Sequence, residues 1–239
     1  MSQNAKSSHN QHVAPFIYEE QNSKSLHFTI HQLQSKMSIS RPDELKVDYT
    51  KTMMGFVLLN RRPKHIVMIG LGGGSLAKFC YKHLPESRIT VIEINPHVIA
   101  LRNEFLIPED NYRFKVIEAD GADYIRNSPR NIDVLLVDGY DHQGQPPQLS
   151  SERFYLGCSE ALTEQGVMAV NLHEDHSFYE LFLDRLGTAF RQNIVEVAAN
   201  HEGNVIVFAS PGVKISPADF RTRMESFYSE LTQWNSLNA

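Results

Sequence analysis

Acidic residues stand at the ends of three apolar, strand-like runs of the sequence. Glu93 ends "RITVIE", Asp120 follows "FKVIEA", and Asp138 ends "IDVLLVD". Parallel strands that end at one sheet edge bring such side chains into a common crevice, where α/β proteins bind ligands. A carboxylate there can accept hydrogen bonds from both hydroxyl groups of a ribose or from the amine of an adenine. We therefore expect an adenosine-bearing cofactor, with Glu93 on its ribose and Asp120, beside Gly121, on its adenine.

A second carboxylate, Asp141, follows Asp138 at the exit of the same strand. Two carboxylates this close can hold an ammonium group, and the one that accepts a proton from it releases a neutral amine nucleophile. Asp141 alone could instead serve the turn after the strand. We expect Asp138 to be the base, with Asp141 as its companion in binding an amine.

A glycine-rich loop, "IGLGGGSL", follows the first apolar strand of the series. Gly70, Gly72, Gly73 and Gly74 allow the backbone to approach a cofactor closely. A P-loop would need a lysine directly before the Ser or Thr at the end of the loop, and the sequence lacks it. The dinucleotide pattern G-x-G-x-x-G is matched only in part, because Ser75 takes the place of the third glycine. The loop alone leaves a dinucleotide and an S-adenosyl cofactor open.

The order of elements predicts an α/β fold that would position these residues. From residue 64 onward, helical segments lie between most of seven strand-like runs: "HIVMIG", "RITVIEI", "FKVIEA", "IDVLLVD", "GVMAVNL", "NIVEVAA" and "NVIVFAS". The first five are near-continuous apolar runs, as expected for a mostly parallel sheet with helices on both faces. The last two have hairpin spacing, so we expect the seventh strand to run antiparallel to the sixth. This ending favours the seven-stranded, Rossmann-like sheet of the class I S-adenosylmethionine transferases.

The remaining segments predict a tail, a small β unit and two helices. Residues 1–14 are polar, and we expect a disordered tail. Residues 15–39 predict a small N-terminal β appendage, and residues 40–239 predict the Rossmann-like S-adenosyl-cofactor transferase domain. Within that domain, residues 40–60 predict one helix capped by Ser40. Residues 216–234 predict a capped amphipathic helix with one apolar stripe.

Composition argues against several classes of function. The 239 residues carry a formal net charge of −5 and a pI of about 6.1, so no basic footprint for nucleic acid is present. No apolar run approaches the roughly 18 residues that a membrane span needs. The N-terminal residues also lack an apolar signal segment. We expect a cytoplasmic protein whose two cysteines, Cys80 and Cys158, are buried free thiols.

The stretch "HEDH", residues 173–176, has a spacing that a zinc site could use. No third ligand accompanies it, so we expect no metal. Asp175 instead suits a cap for the helix that begins with "SFYELFLDRL". Glu174 lies at the expected ligand edge of the sheet, and we take it as a candidate ligand for an acceptor amine.

The motifs together resemble the spermidine synthase family of aminopropyltransferases. The resemblance spans about residues 33–210 and depends on "VMIGLGGGSLAKF", "ITVIEINPHVI", "RFKVIEADGADYI", "IDVLLVDGYD", "LSSERFY" and "GVMAVNL". It implies a class I S-adenosylmethionine-transferase fold with a small N-terminal β domain, assembled into homodimers or tetramers. It also implies decarboxylated S-adenosylmethionine as the donor and a diamine such as putrescine as the acceptor.

The resemblance implies a role for each candidate residue. Glu93 would bind the ribose and Asp120 the adenine, as expected above. Asp138 would be the base and would bind the acceptor amine, with Asp141 beside it. Gln34 resembles the family's glutamine between the N-terminal domain and the cofactor. Tyr49 corresponds to the family's active-site tyrosine.

The sequence departs from the family pattern where the donor's amine would be bound. The family loop reads Gly-Gly-Gly-Asp-Gly-Gly, and Gly73 takes the place of its aspartate. Asp138 is followed by Gly-Tyr-Asp-His, where the family commonly has Ser-Ser-Asp-Pro, and the N-terminal domain is short. An aminopropyltransferase is therefore the leading hypothesis. The alternatives are a methyltransferase that uses intact S-adenosylmethionine and a catalytically weak homologue that retains only the cofactor pocket.

Overall fold

The computed structural model of the protein describes residues 12–30, 32–141, 144–199 and 203–236. Within these ranges the chain forms a small antiparallel sheet and a larger mixed sheet covered by helices. The predicted disordered tail, residues 1–14, lies outside the described residues except for its last three, which are irregular. The division into tail, appendage and transferase domain stays a prediction.

The predicted N-terminal β unit is a three-stranded antiparallel sheet in the order β1-β2-β3. Its strands are β1 (Phe16–Glu20), β2 (Ser23–Thr29) and β3 (Gln32–Ser38). Leu26 and Met37 are buried in a core cluster that also contains side chains of the larger sheet. Shared apolar burial therefore holds the small sheet on the larger domain, since three short strands enclose little core of their own.

The larger sheet has seven strands in the order β6-β5-β4-β7-β8-β10-β9. They are β4 (His65–Ile69), β5 (Arg88–Glu93), β6 (Phe114–Glu118), β7 (Ile132–Val137), β8 (Leu162–His173), β9 (Ile194–Ala198) and β10 (Asn204–Ala209). The first five are parallel to one another, whereas β10 lies between β8 and β9 and is antiparallel to both. The predicted strands and the antiparallel seventh strand are confirmed.

Helices cover both faces of this sheet. They are α1 (Asp48–Met53), α2 (Ser75–His83), α3 (Pro96–Ala100), α4 (Gly121–Arg126), α5 (Glu152–Ala161), α6 (Tyr179–Ala189) and α7 (Pro217–Ser236). Successive β4 side chains alternate between faces, so Ile66 and Met68 join a cluster with α1, α2 and α7. Val67 and Ile69 join a cluster with α4, α5 and α6. Among the described residues, no helix is both long and apolar enough to span a bilayer.

The helix predicted for residues 40–60 is wrong in its first part. Helix α1 begins only at Asp48, and a 3₁₀ turn continues it over Met54–Leu58. Val47 has extended φ and ψ angles of −96° and 131°, which stop any helix from running through it. Ser40 is not a helix cap, because the next helix begins only at Asp48; its backbone N–H instead donates to the side chain of Asn22 in the turn between β1 and β2.

The predicted C-terminal helix is confirmed as α7, which begins at Pro217. Phe220, Met224, Phe227 and Leu231 are buried in the first core cluster. Trp234, the last member of the predicted stripe, has a side chain outside the described residues. The two cysteines are free and buried, as predicted.

Candidate active site

The glycine loop after β4 brings the ends of β4 and β7 close together. Gly70, Gly72 and Gly74 have φ values of 96°, 50° and 68°, a region that other residues rarely adopt. A side chain at Gly70 would also collide with the backbone carbonyl of Asp138. Glycine at this position therefore lets the exits of β4 and β7 pack directly against each other, which places Asp138 next to the loop.

A cavity of about 1070 Å³, called the central cavity below, lies at the carboxyl ends of β4, β5 and β7 and extends to β2 and β3. Most of the predicted site residues line it: Gln34, Tyr49, Gly70, Gly72, Glu93, Asp120, Gly121, Asp138 and Asp141. The fold therefore brings together residues from the small sheet, helix α1 and four strand exits of the larger sheet.

Three predicted site residues do not line the central cavity. A side chain at Gly73 would come within 2.7 Å of Ser35 Oγ and 2.9 Å of Phe105 Cδ1, and one at Gly74 within 2.6 Å of Ile107. These two glycines thus serve the packing of the loop against its neighbours. Glu174 follows the last residue of β8 and is exposed. It lies in the turn after the strand and is absent from the cavity wall, although His173, Asp175 and His176 line it.

Glu93, at the end of β5, is a buried carboxylate held by the backbone. Its Oε2 accepts a hydrogen bond from Leu71 N at 2.9 Å, and its Oε1 accepts one from Asn95 N at 2.8 Å. Burial raises the pKa of Glu93, and the backbone N–H groups oppose that rise. Each carboxylate oxygen has a further lone pair, so the fixed group can still accept hydrogen bonds from two hydroxyl groups.

Asp120 caps helix α4 as well as lining the cavity. Its Oδ1 accepts hydrogen bonds from Ala122 N at 2.7 Å and Asp123 N at 3.1 Å. These bonds fix the carboxylate at the sheet edge and leave Oδ2 for a ligand. Gly121 packs so tightly on Ile69 that a Cβ would lie 2.5 Å from the Ile69 side chain.

Asp138 lies in the cavity wall with one hydrogen-bond donor on each carboxylate oxygen. Tyr49 OH donates to Oδ2 at 2.9 Å, and Asn171 Nδ2 donates to Oδ1 at 2.9 Å. Removal from bulk water raises the pKa of Asp138, while Asn171 and Tyr49 oppose the rise. Burial beside Asp138 raises the pKa of Tyr49 well above its usual value, so Tyr49 keeps its proton and remains a donor. The arrangement can stabilise a carboxylate that is also a competent proton acceptor.

Asp141 lines the cavity and also takes part in a turn. Its backbone pairs with that of Gly144, with Asp141 N donating to Gly144 O at 2.9 Å. Asp141 therefore contributes both to the turn and to the cavity wall.

Comparison with known proteins gives the family. Residues 46–199 match the model of the spermine/spermidine synthase domain. The chain belongs to this family. A polyamine aminopropyltransferase of Chromobacterium violaceum is 38% identical over 222 residues, which cover 92% of this chain and 79% of that protein. The predicted family and the expected enzyme class, a transferase, are confirmed.

Two solved structures show how far the fold is shared. A probable spermidine synthase from Corynebacterium glutamicum has a TM-score of 0.74 at 17% identity, covering 88% of this chain and 82% of that one. Human methyltransferase-like protein 13, solved in complex with SAH, has a TM-score of 0.67 at 26% identity, covering 77% of this chain and 92% of that one. The fold class is confirmed, and this fold serves both a spermidine synthase-family protein and a methyltransferase-like protein.

Three polar residues of the cavity wall were not among the site residues predicted from the sequence. Asn171, His173 and Asn204 line the cavity on the side of Asp138. Asn171 and His173 end β8, and Asn204 begins the neighbouring antiparallel strand. A polar residue at the end of the apolar run "GVMAVNL" was a usable signal for Asn171. Asn204 could be found only by pairing β8 with β10.

The segment before β1 also reaches the cavity. His12 and Val13, predicted as part of the tail, line it, and Val13 O accepts a hydrogen bond from Asn95 Nδ2 at 2.9 Å. Asn95 thus connects this segment to the loop that holds Glu93.

The "HEDH" segment forms a turn rather than a helix start. His176 N donates to His173 O at 3.1 Å, and α6 begins later, at Tyr179, with Phe178 in the N-cap position. The prediction that Asp175 caps this helix is wrong, because the intervening turn separates it from the first helical residue. Within the described ranges, no three His, Cys, Asp or Glu side chains are grouped as metal ligands.

Proposed function

We propose that this chain transfers an aminopropyl group from decarboxylated S-adenosylmethionine to a diamine such as putrescine. The observation that carries the proposal is the Asp138 carboxylate, held by Tyr49 and Asn171 inside the cavity that also contains Glu93 and Asp120. The family match and the named aminopropyltransferase relatives support the same reaction.

Asp138 would act on the acceptor. Its negative charge attracts an ammonium group, and the carboxylate then accepts a proton from it, leaving an amine with a free electron pair. That pair attacks the carbon of the aminopropyl group that is attached to the donor's sulfonium. The nitrogen–carbon bond forms while the carbon–sulfur bond breaks, and its electrons stay on sulfur, giving neutral 5′-methylthioadenosine. Because a sulfonium is already a good leaving group, the protein has to supply alignment and a base.

Glu93 and Asp120 would bind the adenosine part of the donor. The fixed carboxylate of Glu93 has lone pairs for the ribose hydroxyl groups, and Asp120 has Oδ2 for the adenine amine. Gln34 and Gly72 line the part of the cavity between the small sheet and the glycine loop, where the donor's tail would lie.

A methyltransferase that uses intact S-adenosylmethionine is the second candidate, and the surroundings of Gly73 favour it. The short distances to Ser35 and Phe105 leave no room for an aspartate at this position. The cavity wall near the loop instead contains Ser35 and Ser75, whose hydroxyl groups lie 3.3 Å apart. Hydroxyl groups can donate to a carboxylate as readily as they accept from an ammonium, so they do not reject the intact donor.

Calorimetry with the two donors, followed by product analysis with a panel of diamines, tests the proposal. We expect tighter binding of the decarboxylated donor, formation of 5′-methylthioadenosine with at least one diamine, and loss of that product in Asp138→Asn. Asp123→Asn is the matched control, because Asp123 is an exposed carboxylate on α4 outside the cavity wall. Preference for the intact donor would support the methyltransferase, and binding without turnover would support the catalytically weak homologue.

We also propose that the protein acts in the cytoplasm as a homodimer or tetramer, on small-molecule amines and not on nucleic acid. The support is the family resemblance and a net charge of −5, which disfavours polyanionic partners. Analytical ultracentrifugation of the purified chain tests the assembly, and a monomer at micromolar concentration would contradict it.

A further inference from the structure

Behind Asp138, a chain of hydrogen-bonded side chains crosses from β8 to β10. Asn171 Nδ2 donates to Asp138 Oδ1 at 2.9 Å, and Asn171 Oδ1 in turn accepts from Asn204 Nδ2 at 3.0 Å. Asn204 Nδ2 also lies 3.2 Å from Nε2 of His173, its cross-strand partner. The chain therefore joins the carboxylate at the exit of β7 to the antiparallel strand, which contributes no group to the carboxylate directly.

The orientation of the Asn171 amide decides whether Asp138 Oδ1 faces a hydrogen-bond donor or an acceptor. An ionised carboxylate offers only acceptor atoms, so it is stabilised by the amide nitrogen and destabilised by the amide oxygen. The Nδ2 group of Asn204 has one hydrogen for His173 Nε2 and one directed at Asn171, and the second is satisfied when Asn171 presents its oxygen to it. Asn204 thereby selects the amide orientation that points a donor at Asp138.

Burial makes this selection strong. Asn171 and Asn204 have exposed fractions of 3% and 6%, so water cannot replace a lost partner cheaply. Tyr140 OH donates to the backbone oxygen of Asn171 at 2.9 Å and holds the strand end in place. The Nε2 atom of His173 can accept from Asn204 when the ring carries its proton on Nδ1, which completes the chain.

We propose that Asn204 is a positioning residue for the base: it holds the Asn171 amide in the orientation that donates to the Asp138 carboxylate. The role of Asp138 as base rests on the proposed function. The effect of Asn204 on the ionisation of Asp138, however, can be measured without turnover.

The test compares Asn204→Asp with Asn204→Leu. Asn204→Asp keeps the side-chain shape but offers only acceptor atoms, so Asn171 turns its nitrogen toward residue 204 and its oxygen toward Asp138. Asn204→Leu removes both donor and acceptor without burying a new charge, which keeps the claim testable if the aspartate variant folds poorly. Asn193→Asp is the matched control, because Asn193 braces backbone atoms at Ser210 and Val213 and has no place in the cavity wall.

The first readout is the titration of Asp138, followed by carbon-13 NMR of labelled aspartate and assigned with Asp138→Asn. The titratable groups that face Asp138 are Tyr49 from α1, Tyr140 from the loop after β7, and His173 from β8. We expect the pKa of Asp138 to rise in both Asn204 variants and to stay unchanged in Asn193→Asp. Asn204→Leu is the decisive variant, because the new charge in Asn204→Asp raises the pKa of Asp138 by itself. An unchanged pKa in Asn204→Leu would overturn the proposal, whether or not the protein turns over a diamine.

The second readout is the rate of the proposed reaction. We expect kcat to fall about tenfold in Asn204→Asp, as for loss of a buried hydrogen bond to a charged group, with an unchanged KM for the donor. The acid limb of the pH profile should move to higher pH in both variants. A fall that comes only from the donor's KM would overturn the positioning role. If the wild type is silent with every amine while the NMR shift is present, the proposed reaction fails and the positioning role stands.

Discussion

The Asp138 carboxylate has donors from two separate parts of the fold, Tyr49 from helix α1 and Asn171 from strand β8. Its surroundings act in opposite directions on its protonation. Removal from bulk water raises the pKa of Asp138, and the two donors lower it again. A base needs both effects, because it must be ionised before it can accept a proton and basic enough to take one from an ammonium group.

Tyr49→Phe removes only the hydroxyl group and leaves the hydrogen bond from Asn171 to Asp138 in place. In Tyr49→Phe, Asp138 loses one of the two hydrogen bonds that lower its pKa, so the pKa rises further. We expect the acid limb of kcat/KM to move to higher pH, with about a tenfold loss near neutral pH and partial recovery in alkaline buffer. Tyr228→Phe is the control, since that hydroxyl bonds to Thr52 of α1 and neither residue lines the cavity. An acid limb that stays in place in Tyr49→Phe would contradict the account.

At the scale of elements, helix α2 joins the glycine loop to the small sheet through a buried lysine. Lys78 has an exposed fraction of 5%, and its Nζ donates to Phe105 O at 2.7 Å and to Met37 Sδ of β3 at 3.0 Å. Burial lowers the pKa of Lys78 to about 8, against a weaker opposing effect of Asp43. Lys78, at the contact between α2 and β3, therefore binds its proton less tightly in the folded protein than in the unfolded chain.

This lysine predicts a pH-dependent stability. Between pH of about 8 and its ordinary value, the unfolded chain binds a proton at Lys78 that the folded chain has released, so stability rises with pH. We expect the free energy of unfolding of the wild type, relative to Lys78→Met, to increase across this range by about 3 kcal/mol at most and to be flat below it. Urea unfolding at a series of pH values measures the difference. A constant difference from pH 7 to 10 would show that Lys78 titrates alike in both states.

The elements differ in how much of them the sequence could predict. The strands of the large sheet were predictable, because continuous apolar runs such as "IDVLLVD" need no tertiary information to be recognised. The start of α1 was not, since no local pattern in the sequence marks the extended backbone of Val47. Gly73 was assigned from its neighbours in the loop, and its packing on Ser35 depends on a strand about forty residues earlier. Asn204 was missed for the same reason.

At the scale of the whole molecule, one cavity is formed by the small sheet, helix α1 and the exits of the parallel strands. Its volume of about 1070 Å³ is at the upper end of ordinary ligand pockets. Donor and acceptor can therefore be bound together, and Asp138 lies where it can act on one substrate while the other is present.

A shared cavity with a base and no proposed nucleophile predicts sequential kinetics. We expect initial-velocity lines for varied donor at several acceptor concentrations to intersect, because both substrates must be bound before the carbon–nitrogen bond forms. Parallel lines would indicate a covalent intermediate on the protein and would contradict the role of Asp138 as a base.

The proposed function requires Asp138 to drive transfer of an aminopropyl group to an amine. Mass spectrometry of the amine pool after incubation with decarboxylated S-adenosylmethionine and putrescine tests it most directly. We expect an aminopropylated amine and an equal amount of 5′-methylthioadenosine with the wild type and with Asp123→Asn, and neither product with Asp138→Asn. Formation of both products by Asp138→Asn at the wild-type rate, or of S-adenosylhomocysteine by the wild type from the intact donor in their place, would contradict it.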